Sequence, residues 1–238
     1  MPGIAVGELG RGLLYILASA AVCCLLVLAI CRLFPTWTEL NRKLLHLSVI
    51  VVLSVWLYAF SDWRVTVLTM AVLLAVVFAA LVLIEKYELL PALLRFASER
   101  KPGELRKSLC AVCLMFMLVA AVGWGWLGER SLALAAVFAW GPGDAAAALI
   151  GKRFGKTKIG REKRKSLEGT LAMFTISWAC VLAVLLCSRR FPFWTVLPLS
   201  VVTGAVSALV ELQEQWGLDT IFCPAAAMAV LCLGRLLQ

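Results

Sequence analysis

Eight apolar stretches, most of them about twenty residues long and nearly free of charge, restrict what this chain can fold into. They cover residues 12–34, 44–60, 63–84, 109–127, 132–150, 167–188, 191–212 and 221–236. About 20 apolar residues in a row are what an α-helix needs to cross the hydrocarbon core of a bilayer. Their unbroken Leu, Ala and Val content does not suit the ten-residue alternating strands of a membrane barrel. Charge enters only at Arg32, Arg64, Glu168, Glu211 and Arg235 near run ends, and at Asp144 well inside the fifth run. Hydrophobic residues make up 63% of the chain, against roughly 45–50% in soluble domains. A soluble core could not hide that excess, and a disordered chain would not carry it. The sequence therefore predicts an all-α, polytopic integral membrane protein with about eight transmembrane helices, forming one domain over 1–238.

Trp37, Trp63, Trp124, Trp126, Trp194 and Trp216 fall near run ends, as an aromatic belt would place them. The first run exceeds the ~7–15-residue core of a cleaved signal peptide and reads as a retained span. Ser61 and Asp62 alone join the second and third runs, so these form a tight hairpin. The nine cysteines lie almost wholly inside apolar runs and read as small buried hydrophobes, the Cys110/Cys113 pair included.

The basic residues give the orientation. The odd-numbered connections hold 17 of the 23 Lys and Arg residues. The fifth alone contributes Lys152, Arg153, Lys156, Lys158, Arg161, Lys163, Arg164 and Lys165. By the positive-inside rule these connections are cytoplasmic and the N-terminus is extracytoplasmic.

With so much of the chain in spans, an active site has to be assembled from helix ends and short loops. Asp144 is the most informative residue. It follows Trp140-Gly141-Pro142-Gly143, six residues or roughly 9 Å before the end of its run. A carboxylate near the middle of a spanning helix costs about 2.5–3.5 kcal/mol, and somewhat less at this depth. Pro142 removes a helical hydrogen bond, so a kinked or broken helix lining a polar cavity is expected. A structural Asp paired with a buried Arg is the plainer alternative. Gly143, Ala147 and Gly151 leave one face nearly bare, open to another helix or a ligand.

The next segment carries eight basic residues and one Glu between Lys152 and Lys165, with Gly151, Gly155 and Gly160 interspersed. Such a loop can simply fix topology and attract anionic headgroups. Its glycines, however, also suit turns that expose backbone N–H groups to phosphate oxygens. Ser166 is placed to cap the sixth span, and a helix N-terminus favours anions. Glu168 can complement the helix dipole or hold a metal. An Asp144 carboxylate beside this loop is what a Mg²⁺–nucleoside triphosphate needs: phosphates bridged by the metal and neutralised by Lys and Arg.

A second cluster opens the second span. In a helix, Glu39, Lys43 and His46 share one face with Arg42 beside it. These residues, the basic loop, Glu211 and Asp219 all fall on the predicted cytoplasmic side.

Gly143-Asp144-Ala-Ala-Ala-Ala-Leu-Ile-Gly151-Lys-Arg-Phe-Gly155-Lys156, followed by Lys165-Ser166-Leu-Glu168-Gly169-Thr170, resembles the signature of CTP-using membrane lipid enzymes. That superfamily includes dolichol, phytol and CTP-dependent diacylglycerol kinases and phosphatidate cytidylyltransferase. The Glu-x-x-Arg-Lys-x-x-His arrangement at 39–46 resembles the kinase branch, and the likeness covers about 36–238. The long Gly-His-Gly-Gly-type ending of the cytidylyltransferases is absent. The last loop reads Gly217-Leu-Asp219-Thr-Ile-Phe-Cys-Pro224, without the Asn that kinase relatives carry beside the Asp.

The resemblance implies a CTP-dependent kinase acting on a lipid alcohol in the bilayer: a polyprenol or dolichol, a phytol-like alcohol or diacylglycerol. Asp144, with Glu168, would hold Mg²⁺. Lys152, Arg153, Gly155, Lys156, Lys165 and Ser166, with Arg42 and Lys43, would bind the triphosphate. His46, like Arg42 and Lys43, would sit near the acceptor or the phosphates, with general-base work a secondary role. Glu39, Glu211 and Asp219 are further candidates. The expected setting is a bacterial inner membrane or the endoplasmic reticulum, with the bilayer, CTP and a lipid as partners and no nucleic acid. A cytidylyltransferase is the enzymatic alternative, and a transporter or scaffold the remote one.

Overall fold

The computed structural model describes residues 6–33, 38–87, 103–160, 165–213 and 218–237, with no description of the side chains of Val6, Cys31, Thr38, Glu39, Glu104 and Leu105. The candidate carboxylate Glu39 therefore falls outside it. So do Arg161, Lys163 and Arg164 of the basic loop, and Trp37 and Trp216 of the expected belt.

Among the described residues eight helices are long and apolar enough to cross a membrane. They are α1 (Val6–Leu33), α2 (Thr38–Ala59), α3 (Trp63–Tyr87), α4 (Glu104–Val119), α5 (Arg130–Phe154), α6 (Leu167–Ser188), α7 (Phe193–Gln213) and α8 (Asp219–Leu236). A π-helical segment, Ala120–Trp126, continues α4. Two-residue strands β1 (Lys158–Ile159) and β2 (Lys165–Ser166) pair antiparallel between α5 and α6.

The ends follow local chemistry. Asp62 accepts a hydrogen bond from the Arg64 N–H at 2.8 Å and caps α3, which closes the expected hairpin. Arg189 takes a left-handed φ of 52° past the end of α6. Each of α1–α5 outruns its apolar stretch at one end or both, because charged residues are tolerated where a helix reaches the interface. In α5, Arg130 at the first position stacks 3.8 Å over the Trp124 ring, and Lys152 and Arg153 occupy the last turn. Asp144 consequently lies ten residues, about 15 Å, from the end of its helix rather than six.

The bundle is built around α5. Half of its most apolar stretch is enclosed by other helices, more than in any other span described. Ala133, Ala135, Ala136, Ala139 and Gly141 present so little bulk that neighbours approach closely. A Cβ on Gly143 would sit 2.3 Å from Ser177 Oγ and 2.7 Å from Met173 Sδ of α6. The bare face of α5 is therefore covered by a helix. Large side chains such as Leu17, Leu25, Leu68, Val76, Leu171 and Leu233 point outward, as lipid-facing positions require. The protein is an integral membrane protein.

Of the two outcomes expected at Pro142, a kinked or a broken helix, the break does not occur: α5 runs continuously from Arg130 to Phe154. Ser177 Oγ donates to the Ala139 carbonyl at 2.5 Å, one residue on from the carbonyl that the proline deprives of its donor. A hydroxyl from α6 thus supplements the helix's own bonds where they are weakest.

Candidate active site

One end of the bundle gathers charge. Lys43, in the second turn of α2, is buried with its Nζ 2.5 Å from Asp144 Oδ2 on α5. The partner of the deep carboxylate is thus a lysine, not the arginine of the plainer expectation. His46, one turn further along α2, places Nε2 3.8 Å from the same oxygen. Its ring stands edge-on to Trp140 at 4.4 Å between centroids and 83° between planes.

A second ion pair faces the first. Lys165 Nζ donates to the Glu211 carbonyl at 3.0 Å and is bonded to its carboxylate as well. Glu211 is 4% exposed, in the last turn of α7. Asp219, at the first position of α8, lies within electrostatic reach of Asp144, Lys43 and Lys165, and Glu211 within reach of both aspartates. Five elements thus bring Lys43, His46, Asp144, Lys165, Glu211 and Asp219 together. Glu211 and Asp219 belong to this group even though the last-loop motif lacks its Asn. The signal for Glu211 was in the sequence: an acid in an apolar run has to find a cation.

The glycine-rich loop is fastened over Ser166. Ser166 Oγ accepts from Gly169 N–H at 3.1 Å and caps α6. Ideal Cβ atoms on Gly151, Gly155 and Gly169 would fall 3.0, 2.6 and 3.1 Å from that oxygen, and one on Gly155 only 2.2 Å from the Gly151 carbonyl. Glycine is required at 155 because the backbone itself occupies the space of a side chain. Glu168 Oε1 accepts from the N–H groups of Lys156 and Thr157 at 3.1 and 3.2 Å. One carboxylate oxygen of Glu168 therefore ties the loop to α6, and Oε2 alone is left without a hydrogen bond. Leu167 N–H donates to the Thr157 carbonyl, and the β1–β2 pairing aligns Lys158 with Ser166 and Ile159 with Lys165. Lys152, Arg153 and Lys156 are exposed beyond Asp144, where α5 ends and the loop begins; Lys152 lies about 12 Å along the helix axis. Arg42 is half-buried on α2.

Among the described residues no three His, Cys, Asp or Glu side chains are arranged to hold a metal ion by themselves. Mg²⁺ does not require such a cage, since one or two carboxylates together with substrate phosphates suffice. Asp144 and Asp219 supply hard oxygen donors of that kind, so the donor set fits a magnesium–phosphate complex.

No protein-family model matches the chain, and no solved structure matches it. Among curated proteins, it is 32% identical over 213 residues to phytol kinase of Synechocystis sp., an alignment that covers 87% of this chain and 84% of that protein. Identity at this level over 87% of the chain is more than a shared pattern of apolar runs can account for, and the chain belongs to the phytol kinase family.

Proposed function

We propose that the protein transfers the γ-phosphoryl group of CTP to the hydroxyl of a lipid alcohol in the bilayer. Phytol is the first candidate acceptor, because it is named in the relative; polyprenols, dolichol and diacylglycerol are the others. The observation that carries this reading is the double ion pair: Lys43–Asp144 and Lys165–Glu211, with Asp219 beside them, under a glycine-rich basic loop. Burying this much charge at a helix-bundle end is costly for structure alone. Its combination of lysines and carboxylates matches a ligand that brings both phosphates and a divalent cation.

In this reading the lysines neutralise the triphosphate, and the exposed Lys152, Arg153 and Lys156 draw it in. The positive end of the α6 dipole favours its oxygens, while the N–H groups of Lys156 and Thr157 are held by Glu168. Asp144 and Asp219 would hold Mg²⁺, which neutralises charge on the phosphates when bound. Glu168 keeps the loop in place. Phosphoryl transfer depends mainly on such positioning and charge neutralisation. A cytoplasmic location for this end follows from the positive-inside rule.

The test uses purified protein in mixed micelles with Mg²⁺ and CTP labelled at either the α or the γ phosphate. The acceptors are phytol, a polyprenol, diacylglycerol and phosphatidate. Label is expected in lipid from the γ position only. Label arriving from the α position instead would make the protein a cytidylyltransferase, and transfer from neither would remove the enzymatic reading.

A further inference from the structure

Two rings in contact at the inner edge of the charge cluster, those of Trp140 and His46, each carry an enclosed nitrogen without a hydrogen-bond partner. Trp140 is 1% exposed, one turn of α5 deeper than Asp144, and its Nε1 is enclosed without an acceptor. His46 Nε2 is likewise enclosed without a hydrogen-bond partner; its 3.8 Å separation from Asp144 Oδ2 is too long for one. The two rings touch edge to face. Buried indole N–H groups normally find an acceptor, and an unpaired one in an apolar interior pays its desolvation with no return. The Ser177 hydroxyl, on the neighbouring helix α6, donates to a backbone carbonyl. Ser131 Oγ, Thr170 Oγ1 and Trp178 Nε1 are enclosed without partners as well, and what sets Trp140 and His46 apart is that their rings touch beside Asp144.

We infer that Trp140 and His46 form the seat of the acceptor hydroxyl. An indole N–H can only donate, and the lone pair of an imidazole nitrogen can accept. A hydroxyl is complementary to that pair: its oxygen accepts from Trp140 Nε1 while its hydrogen is given to His46 Nε2. Asp144, one turn away toward the loop, places this seat beside the proposed phosphate site, on the side facing the bilayer interior. With the His46 proton on Nδ1, neither a carboxylate headgroup nor a hydrocarbon end satisfies both nitrogens. Trp140 is thereby a substrate-binding residue that selects for an alcohol.

The inference rests on the kinase reading, and the experiment separates the two. Equilibrium binding of phytol and of phytene, the hydrocarbon of the same chain, is measured on the full-length protein in micelles without nucleotide. In the wild type the hydroxyl is expected to improve affinity about tenfold, the worth of a well-made buried hydrogen bond. In W140F, which keeps an aromatic ring but has no N–H, most of that advantage is expected to vanish, while magnesium–CTP affinity stays unchanged. Equal binding of phytol and phytene by the wild type overturns the seat whether or not W140F survives purification. An undiminished advantage in W140F overturns it as well, and assigns the preference to another group or to water held in the seat. A wild type that binds phytol selectively yet phosphorylates no alcohol sinks the kinase reading and leaves the binding seat standing.

Discussion

Lys43 Nζ and Asp144 Oδ2 are 2.5 Å apart although 101 positions separate them in the chain. Their side chains are 6% and 14% exposed, so the pair sits in an interior that screens charge poorly. Each residue makes the other tolerable there, and together they join α2 to the central helix at the point where the candidate site begins.

Asp144→Asn should therefore have two separable effects. It should lower phosphoryl transfer about a thousandfold or more, since the proposed site loses a carboxylate that would hold Mg²⁺. It should also destabilise the bundle by about 3–5 kcal/mol, because Lys43 keeps its charge without a counterion. Adding Lys43→Met removes that stranded charge. Thermal melting in detergent should recover in the double variant while activity does not, and a double variant that melts no higher than Asp144→Asn would show that the pair is not what destabilises it.

The eight spans were legible because a run of apolar residues is a local property of the chain. Their ends were less so: Arg130 and Lys152 look like boundaries in sequence, yet one stacks on Trp124 and the other rides the last turn of α5. Asp144 announced that it needed a partner, but with 23 basic residues in the chain the choice of Lys43 is a matter of three-dimensional packing. The site residues share one end of the bundle for a reason the sequence does contain, since short connections alternate sides. Glu168 shows the opposite case. Its hydrogen bonds to Lys156 and Thr157 depend on the loop doubling back through a two-residue strand pair, which no periodicity reveals. Trp140 stood three residues before the signature, and its unpaired nitrogen and its contact with the His46 ring are visible only in three dimensions.

Glu168 can be tested by comparing two substitutions. Both hydrogen bonds it accepts come from backbone N–H groups, and an amide oxygen can accept them too. Glu168→Gln should therefore keep nucleotide affinity within a few-fold, whereas Glu168→Ala should weaken it about tenfold or more by releasing the loop. Equal losses in the two, partly relieved at high Mg²⁺, would instead indicate a metal ligand. Equilibrium CTP binding across a Mg²⁺ series reads this directly.

Gly155→Ala should disable the loop without unfolding the bundle. The added methyl would lie 2.2 Å from the Gly151 carbonyl and 2.6 Å from Ser166 Oγ, so the turn leaving α5 has to move. Gly155 closes the central helix but packs on none of the apolar core. Melting is expected to stay near wild type, with kcat/KM for the nucleotide reduced at least about tenfold. Gly7→Ala, where a Cβ meets nothing within 4 Å, is the matched control and should be silent in both assays.

The orientation carries a prediction that does not involve catalysis. The eight spans of the described residues return the chain to the side on which it started, so the positive-inside rule puts both termini outside and the Lys152–Lys165 loop in the cytoplasm. Alkaline phosphatase fused after Gln238 should be active in intact bacteria, and green fluorescent protein at the same point should be dark. Reversal of both reporters would place the charge cluster on the far side from cytoplasmic CTP. That outcome would contradict the proposed donor even if every distance in the site were right, because a nucleotide-dependent kinase has to face the compartment that holds its nucleotide.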